Sequence, residues 1–183
     1  MKFEDLIKER QSIRKYTSQP VEKDKLIQCV EAARLAPSAH NTQPWKFIIV
    51  DDVELKNNLA ACTTDESKYY NKWTPLAPVI VVLTLEESNF TSRESRSVEN
   101  KDWPLIDIGI AVEHFCLQAT ELDLSTCILG WFYEKPVKEL LNIPEEKTVA
   151  LMITVGYAPS NFIARAKKRK PIKEVMAFNT YSE

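Results

Sequence analysis

The chain has 183 residues, of which 44% are hydrophobic and 27% charged, the composition of a folded globular protein rather than a disordered one. Lys and Arg number 24 against 26 Asp and Glu, giving a net charge of −2, so no general attraction to nucleic acid or to an anionic membrane is expected. The length suits one domain, residues 1–183, with a substantial core, and is too short for two.

The opening, MKFEDLIKER, is charged and lacks the apolar stretch of a secretory signal. The longest apolar runs, Val79–Leu83 and Val149–Val155, fall far short of a membrane span. A cytoplasmic protein is the expectation. Cys29, Cys62, Cys116 and Cys127 are widely spaced and form no C-x-x-C pair, so they read as free thiols, with Cys29 and Cys116 inside helical apolar patterns.

In chain order, Phe3, Leu6 and Ile7 form a short helical stripe ending near Arg10. Thr17–Pro20 is a turn. Leu26, Ile27, Val30 and Ala33 recur at helical spacing, predicting a helix from about Val21 to Ala36 that Pro37 stops. The loop PSAHNTQPW follows, then a strand over Lys46–Val50, a helix over about Val53–Cys62 and an aromatic segment, Tyr69–Trp73. Val79–Thr84 is β-branched at nearly every position and reads as a buried strand. Glu86–Asp102 is polar and reads as an excursion loop. A long helix is predicted from about Pro104 to Leu122, with the proline in its first turn. Strands at Ser125–Leu129 and Val149–Val155 flank a helix around Val137–Leu141. The tail Ala164–Lys170 is basic, and Pro171 is placed to start a last short helix.

Several chemistries find no residues to carry them. There are two histidines, His40 and His114, without metal-ligand spacing, and His114, mid-helix beside Phe115, reads as a packed side chain. No nucleophile elbow and no Gly-rich phosphate loop is present. A protein with so few acid–base or metal candidates either performs no catalysis or relies on a cofactor.

Three features remain. Arg10-Gln-Ser12-Ile-Arg14, if extended, puts two guanidinium groups and a hydroxyl on one face, which suits a phosphate or a ring carbonyl. Lys167-Lys-Arg169-Lys is the second basic cluster. Each cluster taken alone reads more readily as a solvated surface patch than as a site. The loop Pro37–Trp45, small and amide residues bracketed by prolines, is either a rigid ligand-holding segment or a helix-stop loop with local caps.

Together and in this order, RQSIRKY, PSAHNTQPWKF, LIDIGIAVEHFCLQATELDL, TCILGWF and VGYAPSNFIARAKKRKP resemble the FMN-dependent nitroreductase family, over about Phe3 to Val175. The resemblance implies an α+β fold, a central sheet flanked by helices, in an intertwined homodimer with FMN at two interface sites. It implies that Arg10 and Ser12 bind the flavin phosphate and ribityl chain, and that Arg14 lies near the N1–O2 edge of the ring. Pro37, Ser38, Ala39 and Asn41 would reach the flavin from the partner subunit, with His40 facing nicotinamide or substrate. Leu129 and Gly130 would bring backbone close to N5, and Lys167 and Arg169 would clamp the phosphate. No metal and no protein acid or base is implied, because the flavin carries the chemistry.

The expected activity is reduction of nitroaromatics, quinones or other electron-poor small molecules by NADH or NADPH, without a nucleic-acid or membrane partner. Some relatives remove halogens or fragment the flavin. A non-enzymatic flavin carrier or sensor, closed by Trp73 and Trp131, and a flavin-free interaction protein are the competing readings. The intact basic clusters count against the second. Two departures stand out. ELDLS replaces the usual ELGLG, so the turn after Leu122 lacks its left-handed glycine; Asp123 tolerates that conformation better than most residues and only a local change is expected. Tyr69–Trp73 does not align well, which leaves Asn71 and Lys72 without a role.

Overall fold

A computed structural model describes residues 1–65, 70–86 and 102–181. The excursion expected at 86–102 falls almost wholly outside these residues, as does Tyr69. In chain order the elements are α1 (Phe3–Glu9), α2 (Lys23–Arg34), β1 (Trp45–Val50), α3 (Val53–Ala61), β2 (Val79–Leu85), α4 (Trp103–Glu121), β3 (Ser125–Leu129), α5 (Glu134–Leu141) and β4 (Thr148–Gly156). Short 3-10 turns stand at Ala39–Asn41, Thr74–Leu76 and Ile172–Glu174.

The strands make one antiparallel sheet in the order β1-β2-β4-β3. β2 has apolar residues on both faces because both are covered. Val79, Val81 and Leu83 pack with Leu26 and Ala33 of α2 and with Ile108, Val112 and Phe115 of α4. Ile80 and Val82 pack on the opposite face with Leu59 of α3, Val137 of α5 and Met152. Alternate residues of a strand point to opposite faces, so this run of valines and isoleucines serves two cores at once. Here the α+β expectation holds: a central sheet lies between two helical layers.

The differences at element ends have local causes. α2 begins two residues later than expected, with Glu22 in an extended conformation as its cap, and ends at Arg34. Ala36 stands outside because proline disfavours the helical conformation in the residue before it. α5 starts a turn earlier than Val137. Pro136 falls in its first turn, where a missing N–H costs nothing. Asp123 has φ 62°, so the aspartate itself takes the left-handed conformation at the turn after Leu122. All four cysteines are free and buried. His114 packs against α2, its Nδ1 3.3 Å from the carbonyl of Ala32.

Candidate functional site

The extended segment after α1 is fixed along the outer edge of β3. Ser12 forms a parallel bridge with Thr126, and the Ile13 amide donates to the Thr126 carbonyl at 2.9 Å. Tyr16, buried, fastens the segment from below: its hydroxyl lies 2.8 Å from the Ile13 carbonyl and 2.7 Å from Thr154 Oγ1. Burial and the aliphatic surroundings keep this phenol neutral, far above its ordinary range. Ile13 therefore turns inward, and the alternation leaves Arg10, Ser12 and Arg14 for the other side.

The tail returns to the same place. Arg165 donates to the Ser12 carbonyl at 2.8 Å and its amide to Gln11 Oε1 at 3.2 Å, while Lys167 Nζ donates to the Ile7 carbonyl at 2.6 Å. Burial, and then the charges of Arg169 and Arg10, hold the Lys167 ammonium below its ordinary value, which marks three cations gathered at one spot. Arg10 Nε is 3.4 Å from Glu113 Oε2 on α4. Even so, Arg10 Nε and Nη2 are two of only four buried side-chain polar atoms without a hydrogen-bond partner among the described residues. Such donors are costly to leave unmade. They fit a bound dianion such as a flavin phosphate.

The cluster continues toward the end of β3. Burial pushes the Cys127 thiol up, and the charges of Arg14, Arg10 and Arg165 and a bond to Ser12 oppose that effect, which puts its sulfur within the field of the basic cluster. Arg14 also lies over the Trp73 ring, 5.9 Å from its centroid. Next to Trp73, Asn71 has φ 51° and donates through Nδ2 to the Trp131 carbonyl at 3.3 Å. Gly130, exposed at the end of β3 after buried Leu129, has no atom within 4 Å of where a Cβ would stand. Open space over backbone is what a planar ligand needs. Trp131 lies between Tyr70, tilted to it at 5.4 Å between centroids, and Tyr133, edge-on to it at 5.2 Å. Asn71 and Arg165 are thus site neighbours for which sequence reasoning had no role, while Trp73, expected to close the site only in the carrier reading, lies under Arg14.

The second group of expected residues stands apart. Pro37, Ser38, Ala39, His40 and Asn41 lie in a loop held by its own bonds and by α4. Gln43 N donates to Ser38 Oγ at 3.0 Å, and Gln43 Nε2 to Asn41 Oδ1 at 3.1 Å. The Ala39 amide is shared by both carboxylate oxygens of Asp107, each at 3.1 Å. Among the described residues, no hydrogen bond or ion pair joins this loop to Arg10–Arg14 or to the basic tail. Asp107 and Glu113 are six residues apart on α4, about 9 Å along its axis and on different faces. The structure therefore brings Arg10, Ser12, Arg14, Leu129, Gly130, Lys167 and Arg169 to one side, and leaves the His40 loop at another. Among the described residues, no three His, Cys, Asp or Glu side chains group as a metal site.

Residues 7–157 match the family model described as Nitroreductase family. The chain belongs to the nitroreductase family. It is 28% identical over 203 residues to an oxygen-insensitive NADPH nitroreductase of Helicobacter acinonychis, covering 93% of each chain. It is 27% identical over 198 residues to an iodotyrosine deiodinase of Thermotoga neapolitana, covering 97% of each. Among solved structures, an FMN-dependent nitroreductase from Clostridium difficile R20291 superposes with a TM-score of 0.77 at 30% identity, over 96% of this chain and 98% of that one. As a nitroreductase-family protein the chain is an oxidoreductase of a flavin-dependent family whose members are typically dimers. No helix among the described residues is long and apolar enough to cross a membrane.

Proposed function

We propose that this nitroreductase-family protein is an FMN-dependent NAD(P)H oxidoreductase. Its acceptors are nitroaromatics, quinones or similar electron-poor small molecules, and it works as a cytoplasmic homodimer. The observation that carries the reading is the pair of buried, unpartnered Arg10 donors inside the cluster completed by Lys167 and Arg169. When bound, FMN supplies the two-electron store between nicotinamide and acceptor.

The residues have distinct tasks. Arg10, Lys167 and Arg169 bind the phosphate, and Ser12 the ribityl chain. Arg14, kept in place over Trp73, offers its charge to the N1–O2 edge and so favours the electron-rich ring. Leu129 and Gly130 let the ring lie against backbone. The Asn71 bond to Trp131 steadies that wall, and Tyr70 and Trp131 offer aromatic faces to a planar acceptor.

Support for a homodimer comes from surfaces that a single copy leaves uncovered. Leu105, Ile106 and Ile110 are exposed along α4, and Phe178 and Tyr181 of the tail are 79% and 95% exposed. In a shared site, Pro37, Ser38, Ala39 and Asn41 of one copy meet the flavin of the other, with His40 toward nicotinamide or acceptor. Purified protein is expected to be yellow, to release FMN on denaturation, and to turn over with parallel initial-rate lines as acceptor concentration is varied. A colourless protein that takes up no added FMN would overturn the reading. Likeness to the Thermotoga deiodinase favours one variant of it, reductive dehalogenation, which a panel of halogenated phenols beside nitroaromatics and quinones tests directly.

A further inference from the structure

Asp107 is the one charged residue in the first ten residues of α4, Trp103–Val112, and the proposed chemistry gives it no task. It is 4% exposed, and a carboxylate is retained at such a place only where donors compensate for the lost water. Its recorded donor is the amide of Ala39, 68 residues earlier in the chain and bound by both of its oxygens.

The loop around that amide is strained. His40, Asn41 and Gln43 have φ values of 52°, 52° and 48°, a region that side chains other than glycine enter at a cost. Three such residues within a four-residue span persist only where the surroundings over-determine the backbone. Three side-chain ties do so here: Ser38 Oγ accepting from Gln43 N, Asn41 Oδ1 accepting from Gln43 Nε2, and Asp107 accepting from Ala39 N. The first two are internal to the loop. Among the hydrogen bonds of the described residues, the third is the one that connects the loop to the body of α4.

That position on α4 has a second property. Asp107 lies between Ile106 and Ile110, whose side chains are 49% and 36% exposed, and Gly109 beside them leaves open space where a Cβ would stand. The face offered to a second copy and the anchor of the loop are therefore within one turn of the same helix.

We propose that Asp107 is the positioning residue that sets the His40 loop relative to the dimer-forming face of α4, and thereby the nicotinamide and acceptor side of the site in the partner. The proposal rests on the reading that this loop completes the partner's flavin site. Asp107 acts through Ala39 and lies outside the phosphate cluster, so its loss is expected to leave the phosphate donors in place and to disturb the donor and acceptor through the loop.

The test uses the full-length protein with two substitutions. Asp107→Leu fills the buried volume and removes the acceptor, whereas Asp107→Asn keeps one oxygen for the Ala39 amide. Amide hydrogen exchange over residues 38–43 is expected to speed up at least tenfold in Asp107→Leu and to stay within about threefold of the parent in Asp107→Asn. In dimers kept saturated with added FMN, Asp107→Leu is expected to raise KM for the nicotinamide about tenfold or more, and Asp107→Asn to restore most of it. Unchanged exchange in Asp107→Leu, or equal damage in both variants, would overturn the proposal. So would an Asp107→Leu chain that fails to fold, since Asp107 would then support the whole core and not this loop. The exchange measurement needs no cofactor. It therefore judges Asp107 even if the parent protein binds no FMN, an outcome that would count only against the proposed function.

Discussion

Arg10 and Glu113 approach to 3.4 Å without a hydrogen bond, and the Arg10 Nε and Nη2 atoms stay buried and unsatisfied beside their nominal partner. A surface carboxylate at this distance gives the guanidinium a counter-charge but not the directed bonds it needs. The Arg10 guanidinium is thus a strong, preorganised donor with bonding capacity that an anion could satisfy.

Replacing Arg10 with Met should separate stability from binding. The unpaired donors cost about 1–3 kcal/mol when buried, so the cofactor-free variant is expected to melt at or above the parent's temperature. Two charge-assisted bonds at about 1.5–3 kcal/mol each would be lost to the phosphate, and FMN affinity should fall on the order of 100-fold or more. Melting curves with and without FMN check both halves. A variant that loses stability equally in both conditions would make Arg10 a structural residue.

The tail offers an internal comparison. Arg169 contributes to the field that depresses Lys167, while Lys173 sits in the 3-10 turn further on. Arg169→Glu should abolish FMN retention through gel filtration, and Lys173→Glu should leave it nearly unchanged. Equal losses would mean that the tail acts only by its overall charge.

Much of this arrangement can be read in the sequence, and the parts that cannot share one cause. β3 is predicted to the residue, because Ser125–Leu129 is a short apolar run bounded by a turn and a glycine. The alternation of Arg10, Ser12 and Arg14 depends only on extended backbone, which the Ser12–Thr126 bridge supplies. The start of α2 slips by two residues because the extended Glu22 before Lys23, not the apolar pattern, decides it. Asn71 has no legible role in the sequence because its significance lies in a carbonyl 60 residues away. Arg165 likewise matters through Ser12, 153 residues earlier. Asp107 is visible as part of a motif, but its bond to Ala39 is a tertiary fact that no local spacing encodes.

The Lys167 shift has a direction that pH can test. Burial, Arg169 and Arg10 lower its value, so the folded, cofactor-free protein holds that proton less tightly than the unfolded chain. Its stability from this group rises as pH climbs from the lowered value toward the ordinary 10.5. A bound phosphate reverses the preference, because only the ammonium form pairs with it. FMN affinity is therefore expected to weaken as pH rises through the lowered Lys167 value, before an exposed lysine would titrate. Fluorescence titrations between about pH 7 and pH 10 on the parent and on Lys167→Arg check this, since arginine keeps its charge throughout. A parallel decline in both proteins would exclude Lys167 as the titrating group.

The exposed strip on α4 predicts how the dimer fails. Ile106→Asp puts a charge where a second copy would bury it, at a cost of about 3–5 kcal/mol if uncompensated. Sedimentation at micromolar concentration should then show monomer, and FMN should be lost together with the dimer because the His40 loop no longer reaches its partner. A monomer that keeps its flavin would contradict the shared site.

Asn71 allows backbone strain and a specific bond to be told apart. Its φ of 51° is a conformation that asparagine tolerates and alanine enters at a cost of about 1–2 kcal/mol; its side chain also steadies the Trp131 carbonyl beside Gly130. Asn71→Ala loses both advantages. Asn71→Gly removes the strain altogether and gives up only the bond, which is worth about 1 kcal/mol. The alanine variant is therefore expected to melt several degrees lower, and the glycine variant within a degree or two of the parent. If the bond steadies the wall on which the flavin ring lies, both variants should show a similar fall in kcat/KM, by about tenfold, despite their different stabilities. Activity that follows melting temperature across the pair would mean that Asn71 serves the turn alone, and that Gly130 keeps its place without it.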